Sequence, residues 1–174
     1  AFATSWKSAA LSVAVGLVLL LGLPVLIDEY TLLQVTIYAV MSILGVSLGF
    51  IWGYGGILCF GQAAFFGLGS YTYAIAVINM GDSTVPFVLA IVVPALFAGA
   101  LGYVIFYGRL SDVYMGVITL TVTLILFNLI NSAAGPEWKI GSAALGGFNG
   151  IPAIPTLNVP GQTDNFLTPK DLFY

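Results

Sequence analysis

Residues 32–52 read LLQVTIYAVMSILGVSLGFIW, twenty-one consecutive positions without Asp, Glu, Lys, Arg or His. About 20 apolar residues in a helix cross the ~30 Å hydrocarbon core of a bilayer, whereas a buried helix of a soluble protein carries an apolar run of roughly 10–14. Inside hydrocarbon every backbone amide must be paired within the protein, so a span is a helix or a strand of a closed barrel. Barrel strands alternate apolar and polar residues over about ten positions. No such alternation occurs here. The stretch is read as a transmembrane helix.

Runs of the same kind flank it. Ser8–Ile27 is closed by Asp28 and Glu29, Ile57–Met80 by Gly81 and Asp82, Val85–Tyr107 by Gly108 and Arg109, and Val113–Ala133 by a Gly/Pro/Asn-rich segment, Ala134–Asp171. The first run is longer than the apolar core of a secretory signal and is read as a retained span. Trp6, Tyr30, Trp52, Tyr107, Tyr114 and Trp138 gather at the ends of the runs, where amphipathic rings meet the headgroups. The expectation is an all-α integral membrane protein with about five transmembrane helices in residues 1–133, a long polar loop over 134–171, and the start of a further span at 172–174.

Composition narrows the function. Only 6% of the 174 residues are charged and 60% are hydrophobic, with a mean hydropathy of +1.07; soluble domains carry about a quarter of their residues as charges. Four scattered basic residues make no nucleic-acid footprint. With no His and the single Cys59, neither a metal site of nitrogen and sulfur ligands nor a disulfide within the chain is expected. No nucleophile, general base or cofactor motif stands at a credible spacing, so the chain is not read as an enzyme. No Asp, Glu, Lys, Arg or His lies well inside a span. Proton-coupled carriers keep titrating relays there, so any energy for transport comes from elsewhere.

The small and polar residues within the spans carry the remaining information. Gly45, Gly49 and Gly53 are spaced by four, which stacks them on one helix face and suits close helix packing. Gly53-Tyr54-Gly55-Gly56 then opens a segment running to Tyr71 that holds six glycines and Gln62. Each glycine costs a helix about 1 kcal/mol relative to Ala, and transporters use such interrupted helices near the bilayer midplane to face a substrate. Gly55, Gly56, Gln62, Phe65, Phe66, Gly67, Gly69 and Tyr71 are therefore the candidate pathway residues, with interhelical hydrogen bonding the plainer role for Gln62. Asn128 and Asn131, three apart, share a helix face and are read as packing residues near the water boundary. In the loop, Gly146, Gly147, Asn149 and Gly150 suit a turn with left-handed backbone.

Three stretches together resemble a known family. Gly53–Tyr71, then Tyr114-Met-Gly-Val-Ile-Thr-Leu-Thr121, then Leu145-Gly-Gly-Phe-Asn-Gly-Ile-Pro152 resemble, in that order, the permease subunits of branched-chain amino-acid ABC importers. The related urea and short-amide permeases share all three. The resemblance implies a bacterial inner-membrane permease paired with a second permease subunit. Two cytoplasmic ATPases would drive it, and a periplasmic solute-binding protein would deliver substrate. It also implies a cytoplasmic N-terminus, where counting basic residues on either side gives a tie, and a loop Ala134–Asp171 that faces the binding protein.

Many members of that family carry His at the position of Gln62, which cannot titrate. The chain reads as about the first half of such a permease, without the family's ATPase-coupling loop. Two other readings stand beside it: a urea or short-amide permease, and a structural subunit of a larger membrane complex that conducts nothing.

Overall fold

The computed structural model describes residues 6–135, 137–159 and 162–168, with the side chains of 6–9, 12, 19, 20, 23, 24, 159 and 162–165 left out of the description. The expected further span at 172–174, the loop end at Asp171, and the side chains of Trp6 and Lys7 lie outside the described residues. About three quarters of the chain is helical (73%). The helices are α1 (Trp6–Leu26), α2 (Glu29–Gly55), α3 (Gln62–Met80), α4 (Thr84–Tyr107) and α5 (Asp112–Ser132). Four of them, α2 to α5, are long and apolar enough to cross a membrane. The first expected span falls on α1.

The helices turn their apolar side chains outward. Val46 is 73% exposed, Leu96 69% and Leu129 61%, while few of the described side chains are buried. Soluble monomers do not leave apolar surface of this extent in water. With the uncharged helix lengths, this identifies a membrane-embedded chain.

The chain divides into two compact units, one holding α1 and α2 as far as Ile43 together with residues from Leu167, the other running from Leu44 to Phe166. In the first, Asp28 stands just before α2 and its carboxylate accepts from the Thr31 hydroxyl at 2.8 Å and the Thr31 N–H at 3.3 Å. These bonds cap a helix start whose first amides have no partner within the helix.

In the second unit α3 and α4 form an antiparallel pair joined by the turn at Gly81–Ser83, and α5 runs parallel to α3. The two helices approach closely at Gly69, where a Cβ would lie 2.9 Å from the Ala90 carbonyl oxygen and 3.3 Å from the Pro94 ring. Pro94 has no N–H, so the Ala90 carbonyl four residues before it has no helical donor. A glycine there lets the two backbones meet at that free carbonyl. Phe65 packs edge-on against Phe97 one turn away, with centroids 6.1 Å apart.

The loop after α5 is more ordered than a glycine-rich linker. It holds two short antiparallel hairpins, β1 (Lys139–Ile140) with β2 (Ala143–Ala144) and β3 (Asn158–Val159) with β4 (Gln162–Phe166), and a single 3-10 turn at Gly147–Asn149. Two asparagines tie it to the end of α3 and the start of α4. Asn79 Nδ2 donates to the Ile140 carbonyl at 2.9 Å, and its Oδ1 accepts from the Ser142 N–H at 2.8 Å. Buried Asn158 accepts from the Ser83 N–H at 2.8 Å and donates its own N–H to the Ser83 hydroxyl at 3.2 Å.

Candidate functional site

The expected third span does not begin at Ile57. Apolar character continues through Ile57-Leu58-Cys59-Phe60, but α2 ends at Gly55 and α3 starts at Gln62. Gly56 sits at φ +66°, a left-handed conformation that ends helices and that glycine adopts without strain. Residues 56–61 are thus an irregular break between two helices.

The break is held against the side of α5. The Phe60 N–H donates to the Thr119 hydroxyl at 3.1 Å, and the Thr123 hydroxyl lies 3.2 Å from the Phe60 carbonyl. Each threonine also bonds its own helix: Thr119 donates toward the Met115 carbonyl at 2.9 Å and Thr123 toward the Thr119 carbonyl at 2.8 Å. Gly116 makes room, since a Cβ there would come 3.4 Å from the Leu58 carbonyl and 3.6 Å from the Phe60 ring. Thr119 is seven residues into α5, which at 1.5 Å per residue places the contact about 10 Å from that helix's start. Within hydrocarbon, non-helical backbone is tolerated only where protein supplies its hydrogen bonds. Thr119 and Thr123 supply two of them.

Beyond the break, Gln62 Nε2 donates to the Ser47 hydroxyl of α2, a link between the two helices the break separates. The face of α2 carrying Gly45, Gly49 and Gly53 has no atom within 4 Å of any Cβ position among the described residues.

A cavity of about 260 Å³ opens between α3 and α5 just past the break. From α3 it is lined by Ala63, Ala64, Gly67, Leu68 and Tyr71, and from α5 by Thr123, Leu126, Phe127, Ile130 and Asn131. The lining holds no charged side chain, and among the described residues no group of three His, Cys, Asp or Glu could hold a metal ion.

The candidate residues therefore separate. Gly67 and Tyr71 line the cavity; Gly55 and Gly56 shape the break; Gln62 bridges to Ser47. Phe65 and Gly69 face α4, and Phe66 is 42% exposed outside the cavity lining. Asn131, read from sequence as a packing residue, is a cavity residue, while Asn128 is exposed. The spacing of the two asparagines marks a shared face but not which neighbour it meets.

The loop glycines have structural tasks. Gly146, Gly147 and Gly150 are at φ +69°, +54° and +75°, and a Cβ on Gly147 would lie 2.5 Å from the Ala134 Cβ. Asn149 is exposed on the same turn.

Compared with protein-family models, with curated proteins and with solved structures, the chain matches none.

Proposed function

We propose that this chain is part of a membrane permease subunit of an ATP-driven importer, forming part of the translocation pathway for branched-chain or other hydrophobic amino acids. The observation that carries the reading is the helix break at 56–61, pinned by Thr119 and Thr123. A subunit that only filled membrane space has no use for a costly interruption at that depth, whereas transport proteins place interrupted helices beside their substrates. The uncharged lining of the adjacent cavity suits a neutral route with no proton relay. ATP hydrolysis then falls to two separate cytoplasmic subunits, and a periplasmic binding protein delivers the solute.

Other features agree with this assembly. The open glycine face of α2 suits close approach by a helix of a second permease subunit. The three motifs resembling amino-acid importer permeases point the same way, with the chain in a bacterial inner membrane and its N-terminus cytoplasmic.

The test is uptake into liposomes by the full-length protein reconstituted with its partner permease, ATPases and binding protein. ATP-dependent accumulation of L-leucine is expected. Urea uptake without leucine uptake would reassign the substrate, and an assembled complex that accumulates neither would make this a structural subunit.

A further inference from the structure

We infer that the cavity between α3 and α5 is the solute's holding site, with Tyr71 and Asn131 binding a hydrogen-bonding end and Gly67 setting the room for an apolar body. This rests on the transport reading above and assigns residues to it.

The first ground is the contrast between two glycines on α3. Gly69 is explained by packing, because a Cβ there would meet the Ala90 carbonyl at 2.9 Å. Gly67 has no such reason. Nothing lies within 4 Å of its Cβ position and its φ is not in the left-handed region. A helix pays about 1 kcal/mol for such a glycine relative to Ala. What Gly67 supplies is empty volume on the cavity wall.

The second ground is the distribution of polar groups. The cavity follows α3 from Ala63 to Tyr71 and α5 from Thr123 to Asn131, nine residues on each helix, or a rise of about 12 Å. At one end the Thr123 hydroxyl is engaged by the Phe60 and Thr119 carbonyls. At the other end the Tyr71 hydroxyl and the Asn131 amide have no hydrogen-bond partner among the described residues. Between the ends the walls are apolar. The cavity thus has one polar pole with donors and acceptors to spare and an apolar remainder.

The ligand class follows from that geometry. With no charged side chain in the lining, a solute carrying net charge would be left without a counter-charge in a low-dielectric site. A volume of 260 Å³ falls just below the about 300 Å³ at which pockets for drug-sized ligands begin. The occupant is a small, net-neutral solute with one hydrogen-bonding end and an aliphatic body. A zwitterionic aliphatic amino acid meets this description. Urea, which has no apolar part, leaves most of the wall unfilled.

The experiment uses the full-length importer in liposomes, with L-leucine, L-alanine and urea as probes and only correctly assembled complexes compared. Gly67→Leu should lower leucine uptake at least tenfold while sparing alanine uptake, a change in size preference that a general folding defect would not produce. Tyr71→Phe and Asn131→Leu should each raise the KM for leucine about tenfold, as expected for loss of one good hydrogen bond. As a readout independent of the binding protein, Ala63→Cys in a Cys59→Ser background should react with a thiol reagent more slowly when leucine is present. If the native complex accumulates neither leucine nor urea, the transport reading itself falls. If it accumulates leucine but the three variants keep native KM values and size preference, and leucine does not protect Ala63→Cys, the site is elsewhere and the transport reading stands. Uptake of urea without leucine would overturn the ligand class.

Discussion

The backbone N–H of Phe60, in the break between α2 and α3, donates to the side-chain hydroxyl of Thr119 on α5 at 3.1 Å across 59 residues of sequence. That bond, with the neighbouring one from Thr123, lets an unwound segment rest against the flank of an apolar helix. Replacing Thr119 by Val keeps the shape and removes the acceptor, leaving the Phe60 amide unpaired at a cost of about 1–3 kcal/mol. Thr119→Val should lower the unfolding midpoint of the protein in detergent, while Thr119→Ser, which retains the hydroxyl, should restore most of the loss. Equal midpoints for the two variants would mean that the bond contributes nothing.

Gly69 and Gly67 should respond oppositely to alanine. At Gly69 the added methyl meets the Ala90 carbonyl at 2.9 Å, and overpacking of this kind costs about 1–3 kcal/mol. At Gly67 there is space and ordinary helical backbone, so alanine should be neutral or stabilise by about 0.4–1 kcal/mol. Thermal denaturation of the two variants side by side decides this, and a loss of similar size at both positions would refute the distinction.

Much of this architecture is legible in the chain itself, and the reasons for the rest are physical. Long uncharged runs without strand alternation mark the helices, because hydrocarbon admits only helices and closed barrels. The start of α3 is not legible: Ile57, Leu58, Cys59 and Phe60 are as apolar as the helix that follows, so hydropathy runs straight through a break that Gly56 and two distant threonines create. The six glycines from Gly53 to Gly69 look alike in sequence, yet Gly56 ends a helix, Gly69 admits α4 and Gly67 leaves a void. Only neighbours from other helices separate those roles. The left-handed tendency of Gly146, Gly147 and Gly150 is local and legible, whereas strands of two residues in β1 to β3 carry no periodicity to read. Asn79 and Asn158 act on partners 61 to 75 residues away, beyond any pattern in the sequence around them.

Gln62 and Ser47 should behave as a coupled pair. Interhelical hydrogen bonds in membranes contribute about 0.6 kcal/mol on average, so a double-mutant cycle of Gln62→Leu and Ser47→Ala should return a coupling of that order. Under the proposed function, Gln62→Leu in reconstituted complexes should reduce leucine uptake more than it reduces assembly with a second permease subunit. Loss of assembly with uptake per assembled complex unchanged would make Gln62 a packing residue only.

Acid should loosen the start of α2. Bonds from the Thr31 hydroxyl and the Thr31 N–H hold the Asp28 carboxyl below its ordinary value of 3.8. A carboxyl whose value is lowered by folding contributes stability that is present above its unfolded value and is lost as pH falls through the folded one. Amide hydrogen exchange in the first turn of α2, corrected for intrinsic rates, should therefore be flat at neutral pH and rise only below about pH 4. Asp28→Ala should show the faster exchange at neutral pH and lack the acid-dependent rise. Protection in the native protein that persists unchanged well below that pH would contradict the cap.

The proposed role requires the break to lie inside the bilayer and not at its surface, and Cys59, the chain's single cysteine, stands within it. A nitroxide attached to Cys59 of the full-length protein in lipid bilayers, with any other cysteine replaced, reports depth through its collision rates with oxygen and with a water-soluble nickel chelate. If the break rests against α5 as described, the label should read about 10 Å inside the membrane boundary, a depth set by the seven residues from Asp112 to Thr119. A label at Cys59 with the full aqueous accessibility of a surface loop would contradict the account.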